Sequence, residues 1–428
     1  MSAPAPRGAC PALTAPMRTG DGLLARLNPV AGGFSPDALA GLCESAQRHG
    51  SGIVEVTARG SVQVRGLTEQ SAPLLAAEVD RLGIAVRADV PVETGPLAGL
   101  DRDEIADPRP LAAQIRAALA KAGLAARLGP KVSVVVDGGG PIGLCGLAAA
   151  VRLGASRARG EILWRWAAGG DATTATPLGL LAEADACAAA LSILGQVAAL
   201  GRTARAKDLS ACPRTEIAER PRRESKAVGV FPLTDGTCAL GIALPFGSMP
   251  AKTLIALVHA ARTLGAAEIR PAPARALLFP GLSADACRAL QETAAGLGFV
   301  TDPADPRLAI SACPGRPACA SGRIATRDIA AELAASAADL LDGSFTLHVS
   351  GCAKGCAHSG AAALTLTGGD VGAALVADGT AASAPAAMVP HHEAVRGVRA
   401  IAALVRSTRR PGETAGACLA RLGTADIA

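Results

Sequence analysis

A long internal repeat constrains this chain more than any other feature. Asp21-Gly22, followed by an apolar stretch, recurs as Asp235-Gly236 followed by another. At a shift of 215 residues Leu39 then falls on Leu254, Leu42 on Leu257, Gly50 on Gly265, Gly66-Leu67 on Gly281-Leu282 and Gly83 on Gly298. Each copy reads strand, helix, two strands, helix, strand. In the first copy these lie near 22–27, 36–49, 52–57, 61–66, 70–82 and 84–88. Ser35 with Pro36 starts the first helix and Gly50 stops it. The order β-α-β-β-α-β is the ferredoxin-like unit. A second pair of segments repeats at a shift of 213, with Lys131 to Asp137 and Gly138 lying over Ser344 to Ser350 and Gly351.

The chain therefore reads A-B-A′-B′. We expect a duplicated α+β fold with pseudo-two-fold symmetry, made of two ferredoxin-like and two α/β half-domains. The boundaries expected are 18–90, 100–212, 227–302 and 303–410, with a linker over 213–226 (PRTEIAERPRRESK) joining the halves.

Twelve cysteines in 428 residues are far too sparse for a disulfide scaffold, and MSAPAPRGAC has neither the charged nor the apolar region of a secretion signal. Reduced thiols in a cytoplasmic protein are expected, so clustered cysteines point to metal or catalysis. Mean hydropathy is +0.32, yet no run of about 18 uncharged apolar residues occurs. With 2% aromatics, no tyrosine and a net charge of +5, no nucleic-acid or membrane partner is expected, whereas a small acidic substrate is compatible.

Four cysteines are grouped. Cys313 and Cys319 form a C-x5-C pair, and Cys352 and Cys356 a C-x3-C pair, each just after an apolar β-like run. Loops at strand ends can converge on one point, and four thiolates are what a [4Fe–4S] cluster requires. Zinc competes, although structural zinc favours shorter spacing than the first pair has. Unrelated core cysteines are the plain alternative. Cys43, Cys145, Cys187, Cys212, Cys238, Cys287 and Cys418 read as small apolar filler, and Cys10 as part of an N-terminal motif.

The repeat also disposes of a tempting dinucleotide fingerprint. Gly138-Gly139-Gly140-Pro141-Ile142-Gly143 fits G-x-G-x-x-G after a strand, but Gly139 falls on Cys352 and Gly143 on Cys356. It reads as a cluster loop without thiols. In the A copies, Thr57, Arg59, Gln63 and Arg65 correspond to Ala272, Ala274, Leu278 and Pro280. Strand alternation puts Gln63 and Arg65 on one face and Val62 and Val64 on the other. A basic face in one copy suits a ligand with carboxylates, though a solvated strand face is the bland reading.

On these residues the chain resembles the sulfite/nitrite reductase superfamily. The likeness spans about residues 18–405 and includes the duplicated architecture, C-x5-C…C-x3-C ligation and T-x-R-x-x-x-Q, here Thr57 to Gln63. In that superfamily the last motif lines a tetrapyrrole site, and the cysteine matching Cys356 also bridges to sirohaem iron. The reductases carry L-P-R-K-F-K; here Leu128-Gly129-Pro130-Lys131-Val132-Ser133 keeps the first lysine and has serine for the second. That loss weakens an oxyanion site. The opening Ala9-Cys10-Pro11-Ala12-Leu13, with Pro16-Met17 and Gly20 to Leu27, is similar to the precorrin-3B synthase family, a shorter branch.

That resemblance implies a monooxygenase that hydroxylates precorrin-3A at C20 and closes a γ-lactone in aerobic cobalamin biosynthesis. It implies a [4Fe–4S] cluster on Cys313, Cys319, Cys352 and Cys356, a non-haem iron, O2, and electrons from NADH through a reductase or ferredoxin partner. Sirohaem remains the alternative, with sulfite or nitrite reduction. A tetrapyrrole-binding or electron-transfer protein is a further one. Thr57, Arg59, Gln63 and Arg65 are the expected substrate contacts, with Arg59, Arg65 and Lys131 the catalytic candidates and Arg18 and Arg26 as additional cations. Non-haem iron favours two histidines and a carboxylate. His358, His391 and His392 are the candidates, His49 and His259 read as structural, and His348 as a core residue on a strand.

Overall fold

The computed structural model describes residues 11–30, 32–87, 89–158, 160–209 and 226–427. Cys10, Cys212 and the expected linker apart from Lys226 lie outside these residues.

The first ferredoxin-like half contains β1 (Met17–Thr19), β2 (Gly22–Leu27), α1 (Pro36–His49), β3 (Ile53–Val56), β4 (Val62–Leu67) and α2 (Ser71–Arg81). The α/β segment after it contains β5 (Val92–Thr94), α3 (Arg109–Lys121), β6 (Val134–Asp137), β7 (Val151–Ala158), β8 (Glu161–Ala168), β9 (Thr176–Leu181) and α4 (Glu183–Ala199). The second ferredoxin-like half contains β10 (Gly229–Pro232), β11 (Cys238–Ala243), β12 (Ser248–Pro250), α5 (Ala251–Thr263), β13 (Arg270–Ala272), β14 (Ala276–Leu282) and α6 (Ala284–Gly296). The chain closes with β15 (Ile310–Ala312), α7 (Thr326–Ser336), β16 (Leu347–Ser350), β17 (Ala362–Gly368), β18 (Ala373–Gly379), β19 (Ala387–Val389), α8 (Ala394–Thr408) and α9 (Ala415–Ile427).

Local chemistry sets the helix starts. The Ser35 hydroxyl accepts from the Ala38 N–H at 3.2 Å, and Ser283 does the same for Ala286 at 3.1 Å at the head of α6. The two ferredoxin-like sheets, β1-β2-β4-β3-β12 and β10-β11-β14-β13, exchange edges. Met249 on β12 pairs with Val54, while Phe34 and Ile269 exchange hydrogen bonds of 2.9 and 2.8 Å. Those pairs superpose under the same 215-residue shift. Helices α1 and α5 pack together, and a single apolar core holds side chains of both halves, among them Leu42, Val54, Val64, Leu254, Leu257 and Phe279.

One expected element differs. Among the described residues, the segment near 84–88 is not a strand and meets β2's extension at a bridge between Pro29 and Val86. The outer edge of β2 is already taken by β1, which pairs Met17 with Leu24 and Thr19 with Gly22. Each edge position accepts one neighbour, so the later segment is displaced beyond the strand's end.

The α/β sheets run β5-β6-β7-β8-β9 and β15-β16-β17-β18-β19. In each, the first three strands are parallel and the last two antiparallel. Parallel neighbours bring their C-terminal ends to one edge, where irregular loops can build a site.

Candidate functional site

Cys313 follows β15 directly, and Cys352 lies two residues past β16. Because β15 and β16 are parallel neighbours, both cysteine loops leave the same sheet edge. They lean on each other. The Gly351 N–H donates to Cys313 Sγ at 3.2 Å, Arg323 N–H donates to the Gly351 carbonyl at 2.8 Å, and Lys354 Nζ donates to Ser321 Oγ at 2.9 Å. A Cβ on Gly351 would stand 3.1 Å from Gly322 Cα, so the loops meet backbone to backbone.

Among the described residues, no three cysteine, histidine or acidic side chains converge as the ligands of one metal ion. Four thiolates on four irons are spread around a cluster and need no such convergence. An N–H already aimed at Cys313 Sγ is the kind of donor that stabilises a cluster thiolate. The residues fit a cluster better than a single ion.

The first ferredoxin-like half holds this edge from outside. Val62 and Val64 enter the core, as alternation requires, while Gln63 and Arg65 on the opposite face are 6% and 4% exposed. Arg26, Gln63 and Glu55 stand in register across β2, β4 and β3. That polar face is covered rather than solvated. Arg65 donates from Nε and Nη2 to Asp21 at 2.9 and 2.8 Å, from Nη2 to the Ala318 carbonyl at 2.8 Å, and from Nη1 towards Glu55 at 3.5 Å. Burial alone would raise the Asp21 pKa, but hydrogen bonds from Arg65 and Thr19 outweigh it and hold the carboxyl below its ordinary value. Glu55 also pairs with Arg327 on α7, whose Nη1 donates to Ser248 at 3.0 Å. Gly20 lies against the same loop, since a Cβ there would be 2.1 Å from the Ala320 nitrogen.

Arg65 is thus already engaged: its guanidinium is turned onto Asp21, Glu55 and the Ala318 carbonyl of the cysteine loop. Thr57 is similarly engaged: its hydroxyl accepts from Ser61 N–H at 3.0 Å and Arg59 N–H at 3.3 Å, shaping the β3–β4 loop. Arg59 is exposed and donates to the Ala148 carbonyl at 3.1 Å. Lys131 is exposed on the turn before β6, at the opposite end of that strand from the glycine loop. Arg18 is exposed and paired with Glu69.

The histidines scatter. His358 Nε2 contacts the Ala361 carbonyl at 3.2 Å, His391 Nε2 contacts the Gly369 carbonyl at 2.8 Å, and His392 is 82% exposed by side chain. No described set of two histidines and a carboxylate fits a mononuclear iron. His49 does pair with Glu78 at 3.1 Å, a structural role. His348 is unusual: it is fully buried, and neither ring nitrogen has a hydrogen-bond partner among the described residues. Its ring centroid is 5.7 Å from that of His358, and burial, then His358 and Arg275, push its pKa down to about 4.

Asp21, Glu55, Arg327 and Gly20 were not singled out as site residues from sequence. Asp21 marks the repeat and Glu55 shares the alternation of Gln63, so both signals were available. Cys43, Cys287 and Cys418 fill space in apolar cores, and burial pushes Cys43 up to about 12, while Cys145, Cys187 and Cys238 are half-buried.

Across the molecule, the glycine loop after β6 is closed by the chain itself. A Cβ on Gly138 would lie 2.3 Å from both the Ala106 carbonyl and Glu104 Oε1, and one on Gly139 would lie 2.8 Å from Ile105 Cδ1. Asp137 accepts from the Gly139 and Leu144 N–H groups at 2.9 and 3.0 Å. A carboxylate occupying those donors leaves no phosphate cradle.

Residues 15–82 match the nitrite/sulfite reductase ferredoxin-like half domain. Over 98% of its length the chain is 39% identical to a Sinorhizobium protein named precorrin-3B synthase, covering 94% of that protein. The chain belongs to the precorrin-3B synthase family. Its fold is shared with the NirA protein of Mycobacterium tuberculosis, at a TM-score of 0.72 and 18% identity, over 95% of this chain and 85% of that one. Within the family fold, the duplicated sheets and the cysteine edge described above form an α+β oxidoreductase scaffold. No helix among the described residues is long and apolar enough to cross a membrane.

Proposed function

We propose that this chain hydroxylates precorrin-3A at C20 and closes the γ-lactone with the ring A acetate, the oxygen-dependent step of aerobic cobalamin biosynthesis. The observation that carries its redox part is the meeting of the Cys313–Cys319 and Cys352–Cys356 loops at one sheet edge. When bound there, a [4Fe–4S] cluster supplies one-electron transfer. Electrons come from NADH through a reductase or ferredoxin partner, in the cytoplasm, where cluster thiols stay reduced.

The chain's own residues do the rest. Among the described residues the Arg59 guanidinium makes one hydrogen bond, to the Ala148 carbonyl, so it is the cation best placed to take a substrate carboxylate. Thr57 holds the loop that carries Arg59, and Gln63 stands on the strand that follows that loop, in register with Arg26 and Glu55. Lys131 contributes charge at longer range. Arg65 acts on the cysteine loop and not on the substrate. No step is assigned to the non-haem iron, because no described residues fit it.

Anaerobically purified protein should show the broad absorption of a [4Fe–4S] cluster without a sirohaem Soret band. With precorrin-3A, NADH and a reductase, label from 18O2 should enter the C20 hydroxyl. A stoichiometric Soret band with sulfite or nitrite reduction would overturn this reading in favour of a reductase. Cluster loading and tetrapyrrole binding without label incorporation would leave only a binding or electron-transfer protein.

A further inference from the structure

A small pocket opens where the second ferredoxin-like half meets the cysteine-bearing sheet. Its walls include the apolar side chains of Leu244, Phe246, Leu308 and Ile310 and the cations Lys226, Arg275 and Arg307. Two of these cations have local partners. Arg307 is chelated by Asp305 at 2.6 to 3.1 Å, and Lys226 Nζ donates to the Pro303 carbonyl at 3.0 Å.

Arg275 differs. Its one hydrogen bond goes to a neutral oxygen, Ser311 Oγ at 3.1 Å, and among the described residues no carboxylate stands within ion-pair distance. The charged group nearest in influence is another cation, Arg327, which Glu55 already neutralises. Burial, then Arg327, pull the Arg275 pKa down to about 10, as expected of a desolvated cation lacking an anion.

The backbone sets the position of Arg275. Ala274 and Arg275 both have left-handed φ values, 59° and 69°, although neither is glycine. The turn is clamped by Ala274 N–H on the Ala58 carbonyl and Leu244 N–H on the Arg275 carbonyl, each at 3.0 Å. The short turn of the β13–β14 hairpin requires such left-handed residues, and it fixes where the Arg275 side chain leaves the backbone. Here it carries a guanidinium to a partly apolar pocket where, among the described lining residues, no side chain is of opposite charge.

We infer that this pocket binds the carboxylate of a short aliphatic acid, with Arg275 as the anchoring cation and Lys226 at its side. The apolar wall selects a carbon stem over a bare inorganic anion. The carboxylate can belong to a free small acid or to an acetate or propionate arm of a tetrapyrrole. This inference does not rest on the proposed oxygenase activity.

The test uses the full-length protein, the variants Arg275→Met and Lys226→Gln, and two probes, sodium propionate and uroporphyrin III. At constant ionic strength, propionate should raise the wild-type Tm over chloride by about 1–3 °C near saturation. Arg275→Met should show no such rise and, without carboxylate, should melt no lower than wild type, because it removes a half-buried cation that has no anionic partner among the described residues. Lys226→Gln, which leaves the strained turn alone, should show a smaller rise. Weaker uroporphyrin binding by Arg275→Met, by about tenfold, assigns the carboxylate to a tetrapyrrole arm; unchanged uroporphyrin binding assigns it to a free acid. The inference is overturned if wild type responds to neither probe, or if Arg275→Met melts lower in carboxylate-free buffer while keeping the propionate response.

Discussion

In the sheet built on β15 to β19, the loops leaving the first two parallel strands carry four cysteines and lean on each other. In the sheet built on β5 to β9, the loop leaving β6 carries glycines at the repeat positions and leans on Glu104, Ile105 and Ala106. Strand order and direction are the same in both. What differs is a few side chains at one edge, and what occupies the space beyond it. A duplicated scaffold keeps its hydrogen-bonded frame because every strand depends on its neighbours. Loops at strand ends bear no such obligation and diverge.

Breaking the cysteine edge should have the largest effect. Cys319→Ser is expected to lose the broad iron–sulfur absorption altogether, whereas Cys145→Ser, in the glycine half, should keep it. Equal iron and sulfide content in both variants would refute the assignment of the edge.

Arg65→Met tests whether that edge is held from outside. Removing one partner of a buried ion pair costs about 3–5 kcal/mol, since Asp21 is left without its guanidinium. Urea unfolding should show the loss, and the cluster should bleach faster in air, with Arg65→Lys recovering part of both. If instead stability and bleaching are unchanged and only substrate affinity falls, Arg65 is a substrate contact after all.

The closed edge can be probed by adding single methyl groups. Gly138→Ala should destabilise by about 1–3 kcal/mol, because its Cβ meets a backbone carbonyl and a carboxylate at 2.3 Å. Gly146→Ala, with nothing within 4 Å, should stay within about 0.5 kcal/mol. Similar midpoints for the two would mean the glycine loop is open.

The smallest effect concerns Glu104, whose pKa burial raises to about 7. The folded state then holds a proton that the unfolded chain has released, so stability falls as pH rises from about 4.5 to about 7. Allowing for partial solvent screening, Glu104→Gln should flatten this slope by about 1 kcal/mol. A slope identical to wild type would remove Glu104 from the plug.

Features that depend on neighbours in the chain were legible from sequence. Ser35, Pro36 and Gly50 placed α1 where it is found, because caps and turns act locally. Alternation placed Val62 and Val64 on one face of the strand and Gln63 and Arg65 on the other, because strand periodicity is a backbone property. The segment near 84–88 was misread because nothing local shows that β1 has already taken the edge of β2. Likewise, the polar face of β4 was visible in sequence, but what lies over it was not.

By itself the sequence determined the duplication, the bounds of α1 and the spacing of the four clustered cysteines, all of which are periodic or local. Tertiary structure decided that β15 and β16 are parallel neighbours, so that two loops some thirty residues apart meet. It also decided that the donors of Arg65 end on Asp21, Glu55 and Ala318, while Arg275 ends on a neutral oxygen. A guanidinium's role depends on which acceptors reach it, and those acceptors come from segments far away in the chain.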